Sequence, residues 1–201
     1  MATAAPQLPR PGRPSSGARE RILDAAIEVL KSDGYAGLSL AKVAARADEN
    51  KALISYHFGS RQGLVAAAAR ELGETISRDV LRGLEGVRTV DEVVGGAFDS
   101  LWQLLERDAR LARVYIDLNA VSVVEDDVRT AIREIKASWR AELTRLLRGA
   151  GVSSRRAGTG ADLLIAASEG FSLDWLERGD TPELRSARTM FVRAISAQLA
   201  A

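Results

Sequence analysis

The chain of 201 residues contains no cysteine and one histidine, and four of its five prolines fall within residues 1–16. Without cysteine there is neither a disulfide framework nor a thiolate metal site, a composition that fits a reducing compartment. The lone histidine, His57, lacks the companions that a metal or catalytic centre would need. No run of about 18 apolar residues occurs, so no segment reads as membrane-spanning. Met1 to Leu8 lack a charged stretch followed by an apolar core, so no secretory leader is read and the cytoplasm is the expected location. Sustained period-two alternation and Asn-Gly hairpins are missing, which excludes a β domain. There is also no Gly-rich phosphate loop, His-Glu metal pair or nucleophile elbow, so neither an enzyme nor a bound cofactor is expected.

What is present is a globular composition, 46% hydrophobic and 27% charged. The net charge of +1 hides an asymmetry. Residues 1–70 carry ten Lys or Arg against six Asp or Glu, whereas the remaining 131 carry eighteen against twenty-one. A positive end attracts a polyanion, because Lys and Arg on phosphates release condensed counterions. Residues 1–16, with Arg10 and Arg13 among Pro, Gly and Ser, cannot bury enough surface to offset ordering. They read either as a plain disordered terminus or as a basic arm that follows a phosphate backbone or minor groove.

Beyond that arm the periodicity is helical throughout. Ile22, Ala26, Ile27 and Leu30 define a helix over 18–32, stopped by Asp33-Gly34. Ser39 can cap a second helix with Leu40, Val43, Ala44 and Ala47 inward, and Asn50 a third with Ile54 and Phe58 inward. A fourth runs from Ser60 toward Leu84. Further helices are expected near 90–107, 109–119, 125–148, 156–178 and 182–199, the last announced by Thr181-Pro182. The fold class is therefore all-α, with about nine helices.

Leu38 to Leu64 is the stretch that carries chemistry. Two short helical patterns meet at a four-residue turn, and the second presents Lys51, Ala52, Ser55 and Tyr56 opposite Ile54 and Phe58. A helix this short, with small residues at its start and polar and aromatic groups on its outer side, suits the major groove, which just admits one helix. It reads as a helix-turn-helix. These residues, with Asp33-Gly34-Tyr35, Leu40-x-x-Val43-Ala44, Tyr56-His57-Phe58 and Gly59-Ser60-Arg61-x-Gly63-Leu64, resemble the N-terminal domain of the TetR family of transcriptional regulators over residues 18–65. Two positions depart from that pattern. The turn is Ala47-Asp48-Glu49-Asn50 where the family usually has Ala-Gly-Val-Ser, and Ser55 stands where a second tyrosine is frequent.

The resemblance implies phosphate contacts from Ser39, Tyr56, His57 and Arg61, and groove contacts from Lys51, Ala52, Leu53 and Ser55. Arg13 would belong to the arm. Lys51 can donate to guanine O6 and N7, and Leu53 or Ala52 can touch a thymine methyl. For His57 a structural role is the alternative; for Arg61 it is an ordinary solvated charge. The acids at 48 and 49 would face phosphates unfavourably.

In the remainder, Phe98 with Trp102 and Phe171 with Trp175 are each one turn apart and so share a face. With Tyr115 and Trp139 they either fill a helical core or line an effector cavity, for which Asp99, Asn119 and Glu169 would be orienting polar groups. Residues 161–176 are apolar almost all round, and Met190, Phe191, Ile195 and Leu199 form a stripe on the last helix. A helix apolar on every side needs outside cover. The family pairs its last two helices with those of a second subunit, which places Leu164, Ala167, Phe191 and Ile195 at a homodimer interface and makes the operator palindromic.

The domain reading is a basic arm at 1–16, a helix-turn-helix head at 17–62 and an effector-binding, dimerising helical body at 63–201. The function implied is a dimeric, ligand-responsive regulator of double-stranded DNA, in this family most often a repressor released by a small molecule. The alternative is a helical small-molecule-binding or interaction scaffold that does not bind DNA.

Overall fold

A computed structural model describes residues 17–201 and builds them from eight helices. The arm at 1–16, and with it Arg13, lies outside the described residues. The helices are α1 (Ala18–Gly37), α2 (Leu40–Ala47), α3 (Lys51–Phe58), α4 (Arg61–Arg82), α5 (Val90–Val121), α6 (Asp126–Gly149), α7 (Ser154–Arg178) and α8 (Pro182–Ala200). No strand occurs among the described residues.

Local capping sets most of the boundaries. The Ser39, Asn50, Ser60 and Thr181 side chains accept from the backbone N–H three residues on, satisfying donors that the first helical turn leaves open. Thr89 and Glu92 close a reciprocal capping box at the start of α5. Gly34, at φ 68°, breaks the helical backbone of α1 where Asp33-Gly34 announced a stop, and a last turn to Gly37 follows it.

The expected pair of helices at 90–107 and 109–119 forms the two halves of α5, which meet at a break at Asp108 (φ −151°, ψ 78°). The Asp108 carboxylate accepts from the Arg110 backbone N–H at 3.2 Å and from its Nε at 2.9 Å, so the side chain caps the second half locally. With no intervening loop, the two halves pass directly into each other.

Two apolar cores are stacked along the molecule. One joins α1–α3 to α4, the second half of α5 and the start of α6, through Ile22, Val29, Val43, Ile54, Leu64, Leu72, Val114, Leu118 and Ile132. The other joins the first half of α5 to α7, α8 and the end of α6 through Phe98, Leu105, Leu147 and Leu199. The head therefore shares its core with the body across residue 62. Close approach of α4 to α6 depends on glycine: a Cβ at Gly73 of α4 would lie 2.7 Å from the Ile135 side chain of α6.

Candidate nucleic-acid interface and interior cavity

The turn between α2 and α3 is made without glycine. Asp48 adopts the left-handed conformation (φ 53°, ψ 44°), which aspartate tolerates better than most residues, and its N–H returns to the Ala44 carbonyl. Glu49, the second unusual acid, is drawn onto α1 by an ion pair with Arg21, while Asp48 stays exposed. One of the two carboxylates feared near phosphate is thus already matched by a cation.

Helix α3 has a sharply divided surface. Ile54 is 0% exposed and Tyr56 74%. Lys51, Ala52 and Ser55 are exposed with Tyr56, whereas Leu53 and Phe58 are partly buried against the core. The Asn50 side-chain oxygen accepts the Leu53 N–H at 2.8 Å, which holds the first turn of α3 in place. Ser39 is half-buried, its hydroxyl engaged as the cap of α2 at 3.3 Å from the Lys42 N–H.

Two residues of the expected set are differently employed. Arg61 donates from Nε to the Leu38 carbonyl at 2.9 Å and from Nη2 to the Tyr35 carbonyl, and its guanidinium lies 4.2 Å from the Tyr35 ring centroid. A cation at a helix start is unfavourable by dipole sign; here the carbonyls that follow the Gly34 break compensate for it. Arg61 is consequently neither a plain solvated charge nor a side chain free to swing outward. His57 has its Nε2 sealed from solvent and without a hydrogen-bond partner, and its ring meets Tyr56 edge-on at 5.1 Å. In this orientation Nε2 does not reach the open face.

Further into the body, α4, α5, α6 and α7 enclose a cavity with about 850 Å³ of atom-free space, part of it solvent at the mouth. Phe98, Tyr115 and Trp139 of the expected effector set are on its wall. The Tyr115 and Trp139 rings are 5.0 Å apart and tilted by 42°. Asn119 reaches it indirectly: its Nδ2 donates to Glu169 at 2.8 Å, and the Tyr115 hydroxyl donates to the same oxygen at 2.9 Å. Lys136 completes the cluster at 2.8 Å from Glu169. Burial, and after it the negative charge of Glu169, raise the Tyr115 phenol well above its ordinary range, so the phenol remains a donor.

The other aromatics are packing. Phe171 meets Phe98, Phe191 and Trp102 edge-on at 5.6, 5.7 and 6.1 Å, an arrangement favoured by the ring quadrupoles. Trp102 donates its indole N–H to Asp180 at 2.9 Å and lies under Arg188, while Trp175 joins the same core. None of these three lines the cavity. Asp99 is exposed and pairs with Arg188 at 3.1 Å. Sequence reasoning missed Glu142 and Ser172 on the wall; with i, i+3 spacing to Trp139, Glu142 was findable as a neighbour on the same face of α6.

Of the expected interface residues, Leu164 is 2% exposed and faces the cavity, so it is corrected to the protomer interior. Ala167, Phe191 and Ile195 are partly buried against the second core. The uncovered apolar surface is one position round the helix: Leu163, Ala166, Gly170 and Leu173 on α7, and Met190 and Ala194 on α8. Met190 is 71% exposed.

A helix-turn-helix with an open, aromatic-bearing second helix, set on a helical body that encloses a cavity, defines a DNA-binding transcriptional regulator. Residues 22–68 match the family model described as bacterial regulatory proteins, tetR family. The chain is 24% identical over 167 residues to the nicotine-responsive transcriptional repressor HdnoR of Paenarthrobacter nicotinovorans, covering 82% of this chain and 86% of that one. In fold it is similar to a transcriptional regulator from Rhodococcus sp. Rha1, with a TM-score of 0.74 and 24% identity over 88% of this chain and 95% of that one. It also resembles the multidrug binding protein EbrR solved with proflavin, with a TM-score of 0.63 and 28% identity over 88% and 98% of the two chains. The head is thus of the tetR type over residues 22–68, and the whole chain shares its fold with solved transcriptional regulators.

Proposed function

We propose that the protein is a homodimeric repressor that binds a palindromic operator through α3 and leaves it when a small molecule enters the cavity. The observation that carries this reading is the division of α3, with Ile54 fully buried and Tyr56 standing free beside Lys51 and Ser55. Lys51, Ala52 and Ser55 enter the major groove, with Leu53 at its edge, and Tyr56 and Ser39 meet the backbone. His57 supports Tyr56 by edge-on contact. Arg61 holds the head together from behind, and if residue 13 contributes, it does so from the arm.

The uncovered faces of α7 and α8 supply the second subunit's seat. Burying Leu163, Leu173 and Met190 against their two-fold copies removes apolar surface from water, and the two-fold axis then gives the operator its palindrome. A nicotine-responsive relative and a neighbour solved with proflavin support a small-molecule effector. Helix α4 begins at Arg61 in the head and carries Ile76, Val80 and Leu81 into the cavity wall. A ligand that favours a different seat for α4 changes the separation of the two heads, and only its differential affinity for the two arrangements can shift the balance. The regulator works in the cytoplasm, where its DNA is.

Selection of duplexes from a random pool, followed by titration of the recovered duplex at several salt concentrations, tests the reading. A palindromic consensus whose affinity falls steeply with salt is expected. Failure to enrich any sequence, or an affinity indifferent to salt, would overturn it.

A further inference from the structure

The cavity has a charge of one sign. Among the described residues that line it, the ionisable groups besides the Tyr115 phenol are Glu142 and Glu169, and no Lys, Arg or His stands on the wall. Each carboxylate is balanced from outside the cavity: Glu169 by Lys136, at 2.8 Å, and Glu142 by Arg145, also at 2.8 Å. Lys136 lies instead on the outer groove between α6 and α7. The rest of the wall is aliphatic or aromatic, with Tyr115 and Trp139 as a tilted pair beside the two acids.

We infer that the effector is a lipophilic organic cation, its charge held between Glu142, Glu169 and the Tyr115–Trp139 rings, and its apolar body against Leu101, Leu104 and Ile165. This rests on the reading of the cavity as the effector site and names the chemistry it selects. An anion would meet two carboxylates in a site of low dielectric, where like charge is strongly unfavourable. An apolar neutral ligand of the same shape would strip water from Glu142, the acid more open to solvent, and return neither hydrogen bond nor charge. A cation removes that penalty and adds attraction to the electron-rich ring faces. The Tyr115 hydroxyl is already spent on Glu169, so the ligand needs no hydrogen-bond acceptor there.

Three probes of one shape and three charges decide the point: phenyltrimethylammonium, tert-butylbenzene and benzenesulfonate, titrated calorimetrically into the full-length protein. The ammonium should bind roughly tenfold or more tightly than its neutral isostere, and the sulfonate should not bind. Glu142→Gln and Glu169→Gln should each weaken the ammonium severalfold and leave tert-butylbenzene unchanged, whereas Lys136→Met, which frees Glu169, should tighten the ammonium. Circular dichroism melting checks that each variant is folded; Glu142, half-exposed at the mouth, carries the test should Glu169→Gln not fold. Equal or better binding of tert-butylbenzene, or unchanged ammonium affinity in Glu142→Gln, overturns the cation assignment and leaves the effector cavity standing. If no probe of any charge binds, the effector cavity falls with it.

Discussion

Asp117, in the second half of α5, accepts the backbone N–H of Tyr35 at 2.8 Å, a bond between residues 82 apart in sequence. It receives the donor that the Gly34 break in α1 would otherwise leave open. The Tyr35 hydroxyl donates to Glu125 at 3.2 Å, and Arg61 covers the ring. Two residues before Asp117, on another side of the same helical turn, Tyr115 donates to Glu169 in the cavity wall. The segment after Asp108 thus lines the cavity through Ala112, Tyr115 and Ile116 and meets the head through Asp117. Like α4, it reaches from the cavity wall to the head.

Asp117→Ala should therefore have a stability effect and a coupling effect. Leaving the Tyr35 N–H without its charged partner should destabilise the protein by about 1–3 kcal/mol in urea denaturation. In a variant still folded at working temperature, effector should release DNA less completely than from the wild type. Full release with unchanged stability would show that Asp117 is not part of the connection.

Tyr56→Ala and Lys51→Ala should weaken operator binding while leaving the thermal midpoint unchanged, since both side chains are exposed. For Lys51→Ala the loss should be roughly 1–3 kcal/mol if it reads a base edge, with relaxed preference at that base pair. Fluorescence anisotropy on consensus and single-mismatch duplexes distinguishes a base contact from a phosphate contact.

Arg61 tests a structural against an interfacial role. Arg61→Lys should not restore what Arg61→Ala loses, because one ammonium cannot span both carbonyls and the Tyr35 ring as the planar guanidinium does. Both variants should unfold at lower denaturant concentration. A variant of unchanged stability whose binding loses about one unit of salt slope would instead make Arg61 a phosphate contact.

Gly63→Ala should be strongly destabilising although the position is on an α-helix, where alanine is ordinarily preferred. A Cβ there would lie 2.2 Å from the Phe58 carbonyl oxygen, a backbone atom that cannot rotate away. The turn from α3 to α4 would have to open, so operator affinity should fall with stability. Thermal melting of Gly63→Ala beside Gly95→Ala, where nothing lies near the added Cβ, provides the control.

Asp180 gives a pH dependence. The Trp102 indole N–H, and after it Arg185 and Arg188, hold its carboxyl below the ordinary value of 3.8. A group depressed in the folded state contributes stability that is present above its unfolded pKa and is lost as pH falls through the folded one. Wild-type stability should therefore decline on acidification below about pH 4 more steeply than that of Asp180→Asn. Parallel acid titrations of the two, followed by tryptophan emission, would refute this account if the curves ran at constant separation.

The sequence was legible wherever the physics is local. Ser39, Asn50 and Thr181 announce their helices because a cap acts within three residues, and the inward positions of α2 and α3 follow from the helical repeat. The same reasoning placed the break at Asp108, where the aspartate caps the second segment and lets the two helices join without a loop. It read Arg61 as a phosphate contact or a solvated charge and did not foresee its internal partners, because a lone cation at a helix start gives no sign of carbonyls 23 and 26 residues earlier in the chain. Periodicity found the aromatic pairs but could not separate Tyr115 and Trp139, at a cavity, from Trp102 and Phe171, in packing: both environments are apolar.

By itself, then, the order of residues determined an all-helical chain, a turn between two short helices and an outward Tyr56 on an inward Ile54, since these depend on neighbours within a few positions. Only the tertiary structure decided that α7 turns Leu164 inward and Leu163 outward, that Glu169 gathers Tyr115, Asn119 and Lys136, and that Asp117 meets Tyr35. Those pairings join residues far apart in the chain. Which of them forms is set by how whole helices fill space against one another, a property no local pattern contains.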